Sequence, residues 1–385
     1  MKLEIERIPI LIVGGSRAYG LHTETSDVDL KGIYIPELKY YTGFLNKFEQ
    51  AEGTPHMEAF IQLMNSEEKQ ASAQEKVEGT IYELSKFMCL AAESNPNILD
   101  VLFCRDQEIR AMNVLGEQLR AEAHKFLSRK AKFTFSGYAI SQLKRIKTHR
   151  RWLMNSPKAP PARKDYDLPE CTLIPADQLA AAQAAIRSQI DTWELDFGDM
   201  SPDRVIHIQE RMTKYMEEVC SYLGFPSVDD GKWLAAARAV GLNDNLIYVL
   251  QKEREYDAGI REWKSYLTWK TNRNQARAQL EEKHGYDTKH GMHLVRLLRM
   301  GKEILTTGKV NVWRGDIDRE ELLAIRNQGI WSYDQLTSWA EEQDQLLNAL
   351  YRDPQYLQIL QAKPNREYLD SLCREFIENQ NIKKG

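Results

Sequence analysis

The sequence predicts an α+β protein, with a small mixed sheet and its helices in about residues 1–110 and a mostly helical region over 111–385. Three observations carry that reading. Strand-like runs separated by turns, ILIV at 10–13 and VDLKGIYI at 28–35, are confined to the first hundred or so residues. Beyond about residue 111 the apolar residues recur at helical spacing. With 42% hydrophobic and 28% charged residues, 385 residues can bury one large core or two modest ones.

In chain order, 10–13 reads as a buried strand leaving through the tight turn that Gly14 and Gly15 permit. Residues 27–35 alternate strictly and read as a second strand. Helices are predicted over 111–130, 133–153, 175–191, 202–223, 260–284 and 288–306. The stretch NSPKAPPARKDYDLPE at 155–170 holds too much proline for a helix and reads as a loop, opening a helical insertion that ends near 280. The alanine-rich LAAAQAA is ordinary helix material, and no fixed-period repeat is present.

Cys89, Cys104, Cys171, Cys220 and Cys373 include no C-x-x-C pair, and the amino terminus shows no cleavable apolar segment, which points to a reducing cytoplasm. The early apolar run at 8–13 is far shorter than the ~20 residues of a membrane helix, so no membrane association is expected. A net charge of −4 neither favours nor opposes a polyanionic partner. Its distribution is more informative: twelve of the 52 basic residues fall within 125–164, where there is no Asp or Glu.

The stretch GGSRAYGLHTETSDVDLKG, 14–32, concentrates the chemistry. After the first strand, Gly14 and Gly15 allow backbone amides to face a phosphate, and Ser16 adds a hydroxyl. On the second strand Asp27 and Asp29 project from one face, with Val28 turned to the core. Two carboxylates on one face repel each other unless a cation lies between them. A pair of magnesium ions needs such hard oxygen ligands, with water and nucleotide phosphates completing the coordination. Asp165-Tyr-Asp167 and Asp316-Ile-Asp318 share the acid-x-acid pattern, but they lack the preceding strand and turn and read as a solvated loop and a helix start.

These residues resemble the polymerase-beta-type nucleotidyltransferases, whose signature is a strand, Gly-Ser, a helix and an acid-x-acid on the next strand. The branch associated with RNA repair is the more similar, on GGSRAYGLHTETSDVDLKGIYIP, on YELSKFMCLAAESNPNILDVLF at 82–103, on FSGYAISQLKRIK at 135–147 and on KHGMHLVRLLRMGKEIL at 289–305. The resemblance implies a catalytic nucleotidyltransferase domain over 1–110. Gly15 and Ser16 would hold the triphosphate and Asp27 and Asp29 would ligate two Mg2+ (or Mn2+) ions. A third carboxylate is expected on a neighbouring strand. Glu78 is the candidate, with Glu83 and Glu75 as alternatives, although Asp would be the usual residue there. Arg17 and Lys31 are placed to neutralise triphosphate oxygens.

The helical region adds two cationic sets. Lys289, His293, Arg296 and Met300 recur at three- and four-residue spacing opposite Leu294, Leu297, Leu298 and Leu305, so His293 and Arg296 are candidates to meet a phosphate or an acceptor across the cleft. His284, His290 and His293 lie within ten residues but lack the H-E-x-x-H spacing and an adjacent cysteine, and Gly291 interrupts the first turn, which argues against zinc. In SQLKRIKTHRRW, Lys144, Arg145, Lys147, His149, Arg150 and Arg151 surround a helix flanked by Phe133, Phe135, Tyr138 and Trp152. Cations beside aromatic rings suit an RNA strand, whereas a helix face turned to the acidic remainder of the protein would look similar.

The expectation is therefore an enzyme that moves a nucleoside monophosphate from a nucleoside triphosphate to an acceptor hydroxyl at an RNA end, with pyrophosphate leaving. A protein or small-molecule acceptor is the variant reading. The competing class is a nucleotide-binding sensor or regulatory module without turnover.

Overall fold

The computed structural model describes residues 3–24, 26–74, 77–172, 174–193, 228–273 and 275–382, with positions 208, 211, 212, 215 and 218. The fold is α+β, as the sequence predicts. The helix expected over 202–223 lies, apart from those single positions, outside the described residues. The chain divides into two units, Met1–Leu153 with Gln275–Gly385, and Met154–Asn274. Residue 110 lies within a strand of the first unit's sheet.

Five strands make one mixed sheet: β1 (Ile10–Val13), β2 (Val28–Tyr34), β3 (Gln50–Glu52), β4 (Val77–Glu83) and β5 (Ile109–Met112), in the order β3-β4-β2-β1-β5. β2 and β4 run parallel, and the other neighbours are antiparallel. Strict alternation in the central strands sends their side chains to two different cores. Leu11, Val13, Val28, Leu30, Val77 and Ile81 pack with Met57 and Phe60 on one face. Ile10, Ile12, Ile33 and Ile35 pack on the other with the helices described next. On that second face Asp29 and Lys31 of β2 and Glu78 and Thr80 of β4 are polar and not fully buried.

Helices α1 (Gly15–Ala18) and α2 (Ser66–Gln74) precede β4, and α3 (Leu84–Ala92) and α4 (Pro96–Phe103) follow it. Glu83 ends β4 and caps α3, accepting from the amides of Ser85 and Lys86, which fixes the strand-to-helix turn. Asn95 caps α4 ahead of Pro96, the usual first-turn proline. The expected helix over 111–130 is divided into β5, α5 (Val114–Ala121) and a 3-10 turn, because Asn113 caps α5 through the amides of Leu115 and Gly116. α6 (Ala131–Met154) follows the prediction closely.

In the second unit, α7 (Ala176–Asp191), α8 (Val228–Ala239) and α9 (Asp244–Thr271) share a small core of Ile186, Ala236, Ala237, Ile247 and Leu250. The proline-rich stretch is non-helical as expected, with a short 3-10 turn at Arg163–Tyr166 that closes at Asp167 in the left-handed conformation, φ 58°. Arg163 holds this turn to α9 by a paired hydrogen bond to Glu253, at 2.9 and 2.5 Å.

The first unit resumes with α10 (Gln275–His284), α11 (Thr288–Thr307), α12 (Arg319–Gln328), α13 (Tyr333–Arg352) and α14 (Arg366–Ile382). The single helix expected over 260–284 is thus the end of α9 and all of α10. α11 starts at the Asp287 cap, ends at Gly308 in the left-handed conformation, and packs on α12 and α13. It is buried on nearly every side, Arg296 and Met300 included, so its basic stripe is not a solvated face. None of the described helices is long and apolar enough to cross a membrane.

Candidate active site

The parallel register of β2 and β4 places Asp29 directly beside Glu78, and Asp27 stands two residues before Asp29 on the same edge of the sheet. Burial alternates along this stretch: Ser26, Val28 and Leu30 are buried while Asp27, Asp29 and Lys31 are open to solvent to different degrees. Among the described residues none of the three carboxylates forms an ion pair or accepts a hydrogen bond. Burial, followed by the charges of Asp27 and Glu78, raises the Asp29 pKa above the ordinary carboxylate value, although Lys31 and Lys289 pull it down. Three neighbouring carboxylates without a cation fit divalent ions, which would relieve that repulsion.

The glycine turn is fitted to this carboxylate edge. Gly15 has φ 57°, and a Cβ there would collide with the Asp29 carboxylate. Gly14 lies against the methylenes of Lys31, and its amide donates to the Asp29 carbonyl at 2.7 Å. Ser16 sits half-buried at the same turn. Gly14, Gly15, Ser16, Asp27, Asp29 and Glu78 are therefore brought together.

Two of the proposed phosphate cations are already engaged, which the sequence reading did not anticipate. Arg17 is buried and donates to Glu67 on α2 at 2.9 Å. Lys31 donates to Asp100 at 3.1 Å and to the Asn97 carbonyl at 3.1 Å. Glu83, the alternative third acid, is committed to its helix cap and accepts from Tyr41 at 2.7 Å. Glu75 lies outside the described residues.

Arg296 reaches the site by a different route. Its guanidinium lies 3.5 Å from the centre of the Tyr19 ring, and the Tyr19 hydroxyl donates to Asp100 at 2.5 Å. A chain of contacts thus runs from Lys31 on β2 through Asp100 and Tyr19 to α11. Arg296 is 5% exposed, has a buried Nε without a hydrogen-bond partner, and meets no carboxylate among the described residues. Burial and the cations Arg296 and Lys289 push the His293 pKa well below the ordinary imidazole value, which keeps His293 neutral.

The turn after α1 is pinned from the far end of the chain. Arg314 donates its backbone amide to the Tyr19 carbonyl at 3.0 Å, Arg319 its side chain to Gly20 at 2.7 Å, and Arg326 to Leu21 at 2.7 Å. Arg314 is itself fully buried between Glu303 and Asp318. Asp318 is thereby locked to cations, in agreement with its reading as a helix start. Sequence reasoning missed Tyr19, Asp100 and these arginines. Asp100 was the detectable one, an acid at the buried face of the apolar helix NPNILDVLF.

The basic helix α6 is mixed. Lys144, Arg145 and Lys147 are exposed, and Lys147 lies 4.0 Å from Glu341. Arg150 is used internally, donating to the Gly285 carbonyl at 2.8 Å and lying 4.2 Å over the Tyr333 ring. Arg151 is exposed but has its own internal interaction. The aromatics do not form a stacking platform: Phe135 and Trp152 are buried, Tyr138 accepts from Asn95, and Phe133 packs edge-on to Tyr351.

A five-stranded mixed sheet with a Gly-Ser turn and an acid-x-acid on the next strand agrees with the resemblance to the polymerase-beta-type nucleotidyltransferases. Residues 3–162 match the family described as "RNA repair pathway DNA polymerase beta family", so the resemblance read from the sequence holds over the sheet and the basic helix. That match implies nucleotidyltransferase-type activity in RNA repair. No match is found among curated proteins or solved structures.

Proposed function

We propose that the protein transfers a nucleoside monophosphate from a nucleoside triphosphate to a hydroxyl at an RNA end, releasing pyrophosphate. The observation that carries the proposal is the row Asp27, Asp29 and Glu78: three carboxylates that form no ion pair among the described residues, beside a turn in which Gly15 has φ 57° and no room for a Cβ next to Asp29. Unpaired charge at this density destabilises the fold, and it is useful where ions are to be bound.

Asp27, Asp29 and Glu78 would hold the divalent ions, which when bound supply Lewis-acid stabilisation of the triphosphate and lower the pKa of the attacking hydroxyl. Gly14 and Gly15 bring backbone close to the phosphates without a side chain in the way, and Ser16 contributes a hydroxyl donor. Arg296, a buried cation that meets no carboxylate among the described residues, is the chain's own counter-charge for triphosphate oxygens. Neutral His293, one turn earlier, can share a hydrogen bond with the acceptor without adding charge. In the transfer, the acceptor oxygen forms a bond to the alpha-phosphorus while the bond to the bridging oxygen of pyrophosphate breaks in line. Lys144 and Arg145, exposed on α6, would contact the RNA backbone.

The test incubates the full chain with each alpha-labelled triphosphate, magnesium and pools of RNA and protein acceptors, beside Asp27→Ala/Asp29→Ala. Label on RNA with wild type and none with the double variant supports the reading. Equal labelling by both removes these acids from the chemistry, and label on protein moves the acceptor assignment.

A further inference from the structure

We infer that Asp100 is a positioning residue: its carboxylate holds the Lys31 ammonium away from the row Asp27, Asp29 and Glu78, and so keeps that row open to divalent ions. The inference rests on the proposed role of those acids as ion ligands.

Lys31 is well placed to fill the row itself. It stands two residues beyond Asp29 on β2, about 7 Å along the strand and on the same face. Its partner on β4 is Thr80, two residues beyond Glu78. The glycine turn shows how close the two side chains of β2 lie. A Cβ at Gly14 would be 3.0–3.2 Å from three carbons of the Lys31 chain, and one at Gly15, the next residue, would overlap the Asp29 carboxylate. A flexible four-carbon stem rooted there can bend back to Asp29. An ammonium in that position would give the acid a partner from the protein in place of a metal.

Lys31 instead turns to α4. Its Nζ donates to Oδ2 of Asp100 and to the Asn97 carbonyl, both at 3.1 Å. The other oxygen of Asp100 accepts the Tyr19 hydroxyl at 2.5 Å, so the carboxylate is fixed from both sides. Burial decides which acid keeps the ammonium. Asp100 is 0% exposed, and a carboxylate at that depth is strongly destabilising without its cation. Asp27 and Glu78 are exposed and Asp29 is half-buried, so water screens their attraction for Lys31. The buried acid therefore holds the cation, and the solvated acids keep their charge for ions from solution.

Asp100→Asn keeps the shape of the side chain and an oxygen for Tyr19, but removes the charge that holds Lys31. Manganese titration of the full-length protein, followed by the EPR signal of free Mn2+, tests the consequence, with thermal unfolding in parallel. Wild type should bind manganese and Asp27→Ala/Asp29→Ala should not. Asp100→Asn should bind about 10-fold more weakly, the lower end for one charged hydrogen bond, and adding Lys31→Met should bring affinity back to within about 3-fold of wild type. That recovery separates positioning from scaffolding, because a fold loosened by the first change is not repaired by the second. Equal binding, or none, in wild type and Asp27→Ala/Asp29→Ala would overturn the role of the acids and this inference with it. If that control behaves as expected, wild-type affinity in folded Asp100→Asn, or a double variant as weak as the single one, would overturn the role of Asp100 alone. If Asp100→Asn does not fold, the double variant, which removes both charges of the buried pair, decides: it must match wild type, and weaker binding there overturns the inference.

Discussion

The guanidinium of Arg296 is stacked 3.5 Å from the Tyr19 ring centre, with no carboxylate among the described residues to neutralise it. A desolvated cation on an aromatic face gains ~2 kcal/mol, which is less than the several kcal/mol its burial costs. The balance makes Arg296 a poor structural element, and the proposed function gives it the role of anion receptor.

Arg296→Met therefore separates the two roles. Replacing an unneutralised buried charge by an apolar chain of similar shape should leave the melting temperature unchanged or raise it. The loss of a charged hydrogen bond to phosphate, worth ~1.5–3 kcal/mol, should weaken triphosphate binding by about 10- to 100-fold. Nucleotide titration beside thermal unfolding measures both. A variant that melts lower and binds nucleotide as before would make Arg296 structural.

Glu78 and Glu83 lie five residues apart on β4 and should behave oppositely. Glu78 is exposed on the strand and forms no hydrogen bond or ion pair among the described residues, so Glu78→Gln should leave stability within ~0.5 kcal/mol, while transfer falls about 100-fold or more. Glu83 caps α3 and accepts from Tyr41, so Glu83→Gln should cost ~1 kcal/mol of stability with kcat little changed. Urea unfolding and steady-state transfer assays on the pair decide the assignment of the third acid.

The fold and the carboxylate edge were legible because both rest on local patterns. Alternation in VDLKGIYI fixes which side Asp27 and Asp29 share, and a Gly-Gly-Ser turn after ILIV has few structural uses. Glu78 was harder, since its standing beside Asp29 depends on the β2–β4 register, set by non-local packing. The engagement of Arg17 and Lys31 was not legible at all: Glu67 and Asp100 lie 50 and 69 residues away, and no periodicity links them. The basic helix misled in one respect, because rings at helical spacing look alike whether they face solvent or core, and Phe135 and Trp152 face the core.

Lys144 and Arg145 are exposed and have no described partner, so their contribution to RNA binding should be purely electrostatic. Each phosphate contact on a single strand adds about −0.7 to the slope of log K against log salt. Lys144→Ala/Arg145→Ala should flatten that slope by about 1.4 and weaken binding alike for all sequences, with unfolding unchanged. An unaltered slope would remove this face from the RNA path. Arg150→Ala is the contrast, since it loses the bond to Gly285 and the Tyr333 contact and should lower stability.

Acid should weaken the fold through Asp318. Burial raises its pKa, but the hydrogen bonds and charges of Arg314 and Arg299 outweigh that and hold it below the ordinary aspartate value. Its ionised form therefore stabilises the folded state fully above the unfolded-state value near ~3.9, and this contribution disappears as pH falls through that value and on through the lower folded one. Asp318→Asn should lower stability at neutral pH by about 3 kcal/mol, the lower end for breaking a buried ion pair, because Glu303 still meets Arg314. The variant should then lose less stability than wild type on acidification, so the two curves converge below pH ~4. Thermal unfolding from neutral to acidic pH measures this. Because Arg314 also donates to the Tyr19 carbonyl, transfer activity should fall with the same variant even where it remains folded, through the turn that carries Gly15 and Ser16. Curves that stay parallel down to the lowest pH would show that Asp318 does not carry the acid sensitivity.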